Sequence, residues 1–148
     1  MKTRLIRMLS CLLVAALLCL TFASCASSPT ATVRVENGDE VETFTVKLSD
    51  YKDGATLYDV LSTTDDLHAV MDESDPDSPF VTAICDVTPD ATKNEYIAMY
   101  SSLSGEAYAF GEAAFELDGV SFYYTAVGVA DLPLLEGETY IFRLESWS

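Results

Sequence analysis

The sequence predicts an α+β domain, one helix set against a β-sheet, behind an N-terminal export segment. Three observations predict it. Val33 and Val35, then Phe44, Val46 and Leu48, alternate with polar neighbours on either side of Asn37-Gly38-Asp39, the period of a β-hairpin. The period then changes: Leu57, Val60 and Leu61 stand at i, i+3 and i+4, on one face of a helix. Beyond an acidic loop the strand pattern returns and runs to the C-terminal end.

The export segment comes first. Lys2, Arg4 and Arg7 precede an apolar run over residues 12–20, and small residues lead on to Cys25. The run falls far short of the roughly 20 residues that a membrane-spanning helix needs, and residues 1–24 have the layout of a removable signal. Phe22-Ala23-Ser24-Cys25 resembles a bacterial lipobox, in which the cysteine sulfur receives a diacylglyceryl group and becomes the mature N-terminus. Phe22 stands where that pattern usually has leucine, and Ser24-Cys25-Ala26 also fits an ordinary small-x-small cleavage site. Two acyl chains anchor stably where one anchors marginally, since burial contributes about 0.8 kcal/mol per CH₂. Cys25 is the expected lipidation site, and the expected location is exported and lipid-anchored at the bacterial cell envelope. Residues 25–31, small, polar and broken by Pro29, read as a tether, and residues 32–148 as a single domain near the commonest domain size.

Within that domain the first hairpin is expected to have a loop longer than two residues. The helix should run over about residues 55–62, capped by Asp53 or Thr56, with an extension toward Leu67. Residues 72–79 carry four carboxylates, two prolines and no apolar side chain, the composition of a solvated loop. Strands follow over 80–87 and 95–101, separated by turn-rich residues 88–94. Strands over 113–117 and 120–124 flank Asp118-Gly119, a strong two-residue hairpin signal. The last strand covers 140–144, after the Glu136-Gly137-Glu138 turn.

Charge narrows the function. All 24 acidic residues follow the signal, where only Arg34, Lys47, Lys52, Lys93 and Arg143 oppose them, leaving a net charge of −19. Phosphate backbones attract clusters of Lys and Arg; none exists here, which argues against nucleic acid. An anionic bilayer would repel this body, so the lipid is the expected membrane contact.

Catalytic chemistry finds little support. After export and lipidation, Cys85 is the remaining cysteine and His68 the single histidine, too few for a zinc cluster. Cys85 shares strand parity with Val81, Ala83 and Val87 and reads as a small buried hydrophobe. A serine nucleophile lacks a Gly-x-Ser-x-Gly elbow and a base other than His68. Counting from Asp72, a calcium loop would need glycine at the sixth place, where Asp77 stands. A looser cation site through Asp72, Asp75 and Asp77 stays open beside the solvated-loop reading. No catalytic residue, metal site or cofactor is expected, and the chain reads as a non-enzyme.

Aromatic placement is more suggestive. Rings crowd residues 96–124, among them Tyr96, Tyr100, Tyr108, Phe110, Phe122, Tyr123 and Tyr124. On a strand Tyr96, Ala98 and Tyr100 face one way and Ile97 and Met99 the other. Neighbouring Tyr123 and Tyr124 point to opposite faces, so one of them should be exposed. These are either ordinary sheet residues or a ligand platform. The candidate contacts are Tyr96, Tyr100, Phe110, Tyr123 and Tyr124, bordered by the hydroxyls of Ser101 and Ser102.

Several motifs now add up. Gly54-Ala55-Thr56-Leu57-Tyr58-Asp59-Val60-Leu61 resembles the helix start of domains similar to the C-terminal domain of transcobalamin and intrinsic factor. Such domains occur in bacteria on lipoproteins and surface proteins. Phe80-Val81-Thr82-Ala83-Ile84, Tyr96-Ile97-Ala98-Met99-Tyr100 and Gly137-Glu138-Thr139-Tyr140-Ile141-Phe142 are similar to that family's later strands, in the same order. Phe110-Gly111, Gly119 and Gly128-Val129 match its glycine-marked turns. The resemblance implies a β-grasp-like mixed sheet with one crossing helix. It also implies non-catalytic binding, with cobalamin as the ligand of the vertebrate relatives. Ile97 replaces the family's tryptophan, and Ser101-Ser102-Leu103-Ser104-Gly105 replaces its asparagine-glycine, so a corrinoid-like ligand is expected only if neither feature shapes the pocket. Two readings follow: capture of a small ligand, corrinoid-like or otherwise, and a surface module for protein interaction or adhesion.

Overall fold

The structure is a computed structural model that describes residues 28–147. The expected signal segment and Cys25 lie outside the described residues.

β1 (Thr30–Asn37) and β2 (Glu40–Lys47) form the first hairpin, with Asn37 opposite Glu40. Its loop is therefore two residues, Gly38 and Asp39, tighter than expected. Gly38 supplies the positive φ (61°) that such a turn requires. The helix α1 (Leu57–Thr63) begins two residues later than the pattern suggested. Its entry is set by Thr56, whose backbone N–H donates to Asp59 Oδ2 at 2.8 Å, half of a capping box. Leu57, Val60 and Leu61 are all buried, as their spacing predicts. A 3₁₀ turn over Asp65–Leu67 then buries Leu67, the extension that the sequence suggested.

Next comes a two-stranded ribbon, β3 (Val70–Asp72) with β4 (Phe80–Ala83). β3 was not legible, because three residues ending in an acidic loop carry no period. The expected strand over 80–87 stops at Ala83. Ile84 and Val87 exchange backbone hydrogen bonds of 3.1 and 2.8 Å around Cys85 and Asp86, which both adopt positive φ (47° and 61°). Cys85 thus sits in a turn and not on a strand, yet it is buried as expected.

The remaining strands are β5 (Glu95–Ser101), β6 (Phe115–Leu117), β7 (Val120–Tyr124) and β8 (Thr139–Ser146). They complete a six-stranded sheet of order β2-β1-β8-β5-β7-β6. β1 and β8 run parallel and the other neighbours antiparallel, so the sheet is mixed and the fold α+β.

Register decides what each face carries. Val33 and Val35 align with Tyr140 and Phe142. These side chains pack with Ile97, Leu57, Val60, Leu61, Leu67 and Leu132 into the main core, so helix and loops cover one face of the sheet. The other face holds a smaller cluster of Ala98, Tyr100, Phe122 and Ile141, flanked by Tyr96, Phe115 and Leu117. β7 pairs with β5 only through Tyr124 and Ser101's partner Tyr123. The β6–β7 hairpin, turned by Asp118 and Gly119 at φ 53° and 79°, then leans across this second face. There Leu117, Val120 and Phe122 oppose Thr32, Arg34, Thr43 and Thr139 across a cleft of about 230 Å³.

Candidate functional site

The face not covered by the helix carries the candidate site. Antiparallel register sets Tyr96, Ala98 and Tyr100 of β5 opposite Glu145, Arg143 and Ile141 of β8, and Tyr124 of β7 opposite Tyr100. Opposed residues share a face, so the rings gather. Tyr100 meets Tyr124 edge-on at 5.4 Å and Phe115 at 5.1 Å, and Trp147 stacks on Tyr96 at 4.9 Å. The backbone of Phe110 lies alongside, its N–H donating to the Tyr124 carbonyl at 2.8 Å. The rim of this strip is open: Tyr124, Trp147 and Phe110 are 41%, 61% and 74% exposed.

Charged groups stand among the rings. Glu145 accepts hydrogen bonds from the hydroxyls of Tyr96 (3.0 Å) and Tyr100 (2.7 Å). Burial and then the Glu145 hydrogen bond raise the Tyr100 hydroxyl well above its ordinary pKa. The same carboxylate raises Tyr96, so both phenols stay neutral donors. Arg143 lies 4.1 Å over the Phe115 ring, a cation–π contact, and its Nε donates to Glu36 at 2.6 Å. Arg34 Nε donates to the other Glu36 oxygen at 2.5 Å. Burial pushes the Glu36 carboxyl up, but the hydrogen bonds and charges of the two arginines outweigh it, and its pKa falls below the ordinary value. The arrangement presents apolar ring area with fixed donors and acceptors beside it, which suits binding.

The structure brings Tyr96, Tyr100 and Tyr124 to one face, and it sets the backbone of Phe110 beside Tyr124 with the Phe110 side chain exposed. It does not bring Tyr123, which is half-buried and points to the opposite face, as adjacency to Tyr124 requires. Ser101 is fully buried with no hydrogen-bond partner for its hydroxyl, so it cannot border a surface site. Ser102 donates to the Glu138 carboxylate and accepts from the Thr139 N–H at 2.9 Å, which fixes the β8 entry turn. The strip gains Trp147, which sequence reasoning missed because the last strand was ended at residue 144. β8 continues to Ser146, and Trp147 follows Arg143 and Glu145 at the same parity. That parity was the available signal.

Other sites offer less. A slot of about 50 Å³ lined by Phe80, Ile97, Met99 and Val129 is far below the roughly 300 Å³ of a small-ligand pocket. The depression of about 580 Å³ beside α1, lined by Asp50, Tyr51, Lys52 and Asp59, is wide and shallow and carries one ring. Cys85 is raised to about 11 by burial and then by the charges of Glu42 and Asp86, the opposite of a nucleophile. In the acidic loop, Asp72 accepts the Ser74 N–H at 2.9 Å and Asp75 the Asp77 N–H at 3.1 Å, so those carboxylates shape the loop's own turns. Among the described residues no three His, Cys, Asp or Glu side chains gather as a metal site would require.

No protein-family model matches the sequence, and no curated protein matches it. Solved structures do. The chain is similar to a "putative metal binding protein" from Ruminococcus gnavus, at 17% identity and a TM-score of 0.56, covering 81% of this chain and 99% of that one. It is similar to haptocorrin, solved in complex with Cbi, at 15% identity and a TM-score of 0.57. That match covers 82% of this chain but 26% of haptocorrin. At these identities the likeness establishes a shared fold alone.

Proposed function

We propose that this chain is a non-catalytic binding module of β-grasp-like fold, exported and held at the bacterial cell envelope by a lipid on Cys25, which captures a corrinoid-like or other flat small ligand. The observation that carries the reading is the open aromatic strip of Tyr124, Tyr100, Tyr96 and Trp147, with Glu145 at the tyrosine hydroxyls. Rigid rings give large contact area at little entropy cost, and neutral tyrosines with a carboxylate supply orienting hydrogen bonds. The likeness to about a quarter of haptocorrin, solved in complex with Cbi, supports a small-ligand role; on this reading the domain supplies one wall of the site and a second surface closes over the ligand. A single open wall binds weakly, so the affinity of this domain alone belongs in the micromolar to millimolar range.

Trp147 is the single tryptophan of the chain and lies on the strip, so its fluorescence reports on the site. Titration with cobalamin and with its precursors should quench it saturably, with matching heat in calorimetry. Tyr96→Ala combined with Tyr124→Ala should weaken binding at least tenfold while the fold is kept. No saturable signal from any corrinoid up to millimolar concentration would exclude the corrinoid reading.

A further inference from the structure

We propose that β2 is a docking edge that takes up an extended, cationic segment of a partner protein as a seventh strand. This goes beyond the ligand reading, because β2 lies three strands from β5 in the sheet order and shares no residue with the aromatic strip.

The ladder phase shows what the edge offers. Leu48 N–H donates to the Pro29 carbonyl at 2.9 Å, which makes residues 29 and 48 a hydrogen-bonded pair. Antiparallel pairs of this kind recur at every second position, and the β1–β2 register is unbroken from Thr30↔Lys47 to Asn37↔Glu40. Glu40, Glu42, Phe44 and Val46 therefore bond inward to β1. Val41, Thr43, Thr45 and Lys47 turn their N–H and C=O groups outward, and among the described residues no backbone partner meets them. Natural sheets blunt such edges with short strands, prolines, bulges or charged side chains. β2 spans 8 residues without proline, glycine or bulge; its protection is the charge of Glu40 and Glu42, with Lys47 at its end, and carboxylates repel acidic segments while leaving the edge open to a cationic one. The opposite edge, β6, has 3 residues.

Charge selects the occupant. Glu40 and Glu42 share their side of the edge with Asp86, around a notch of about 110 Å³ floored by Val35 and Val87. An added strand would set every second side chain against these carboxylates, where lysine or arginine fits and acids are repelled. The other side offers Val41 and Thr43, a surface for β-branched side chains. A second copy of this chain is a poor occupant, since each carries −19 and would present the same carboxylates.

The probe is a capped octapeptide alternating lysine with valine and threonine, with a glutamate-for-lysine peptide as control. The lysine peptide should bind with measurable calorimetric heat, slow hydrogen exchange at the amides of Val41, Thr43 and Thr45, and leave Trp147 fluorescence unchanged. The glutamate peptide should bind at least tenfold more weakly. Thr43→Pro removes an outward N–H and no bond to β1, so it should abolish binding with the melting temperature kept. Should that variant unfold, Glu40→Gln with Glu42→Gln tests the same point and should weaken binding roughly 2- to 30-fold, as two cross-strand ion pairs require. Equal affinity for the two peptides, no binding at millimolar concentration, or full affinity in the folded Thr43→Pro variant would overturn the proposal. So would a concentration-dependent dimer that itself protects these amides, because a second copy would then hold the edge.

Discussion

Glu36 shows how a single buried acid can be held ionised inside a protein of large negative charge. It is 8% exposed and lies between Arg34 and Arg143, two of five cations in the domain. Arg34 is two residues away on the same strand face, but Arg143 is 107 residues distant, so sequence spacing reveals half of the arrangement at most. Glu36→Gln removes the charge that both guanidinium groups are placed to meet. Hydrogen bonds to charged groups contribute about 1.5–3 kcal/mol each. The arginine side chains are 26% and 30% exposed, so water takes over part of the loss, and a net destabilisation of about 1–3 kcal/mol is expected at pH 7. The pH dependence has a definite sign. Because the folded-state pKa is lowered, this stabilisation is complete above the ordinary carboxylate range and fades as pH falls through the lowered value. The other acids complicate the absolute trend, since their protonation relieves repulsion. The difference between wild type and variant isolates Glu36: urea titrations should show the gap at pH 7 and its narrowing toward pH 3. A gap that widened in acid would contradict the assignment.

At the scale of elements, periodic segments were legible and irregular ones were not. α1 was readable because Leu57, Val60 and Leu61 satisfy the helical spacing and all three contribute to the core. The Asp118-Gly119 turn was readable because two positive-φ residues are what a two-residue hairpin needs. The strand over 80–87 was misjudged because apolar alternation continues through Cys85 and Val87 while the backbone reverses there. Burial by a tight turn and burial by a strand leave the same pattern. The candidate site divides in the same way: strand parity placed Tyr96 and Tyr100 on one face and separated Tyr123 from Tyr124, but only the register shows that Tyr124 is the one that joins them, and parity could not tell which face the helix would cover. Ser101, of opposite parity, went to the core. α1 gives the direct test. Leu61→Ala removes a side chain 4% exposed, and such truncations cost about 2–5 kcal/mol, a large share of a small domain's stability. A fall in melting temperature of several degrees is expected, and a change within one degree would mean that the helix face contributes little.

The whole molecule combines one acidic body with one expected anchor. The five cations after residue 24 are not grouped: Arg34 and Arg143 are engaged with Glu36, and Lys93 lies within 4 Å of Asp90 and Glu95. Lys47 and Lys52 remain, too few to attract an anionic surface, where each cation contributes about 1 kcal/mol. The rest of the surface is negative and would be pushed from such a bilayer over a Debye length of about 8 Å at physiological salt. Any stable residence at the membrane then depends on the two acyl chains proposed for Cys25, a single-point attachment. Cys25→Ser should therefore move the protein wholly to the soluble fraction. Lowering the salt should not bring it back, whereas a peripheral protein held by charge would rebind. Mass spectrometry of the wild type should show the acyl increment on the N-terminal cysteine. Absence of that increment, or a Cys25→Ser protein that still partitions with detergent, would remove the anchor.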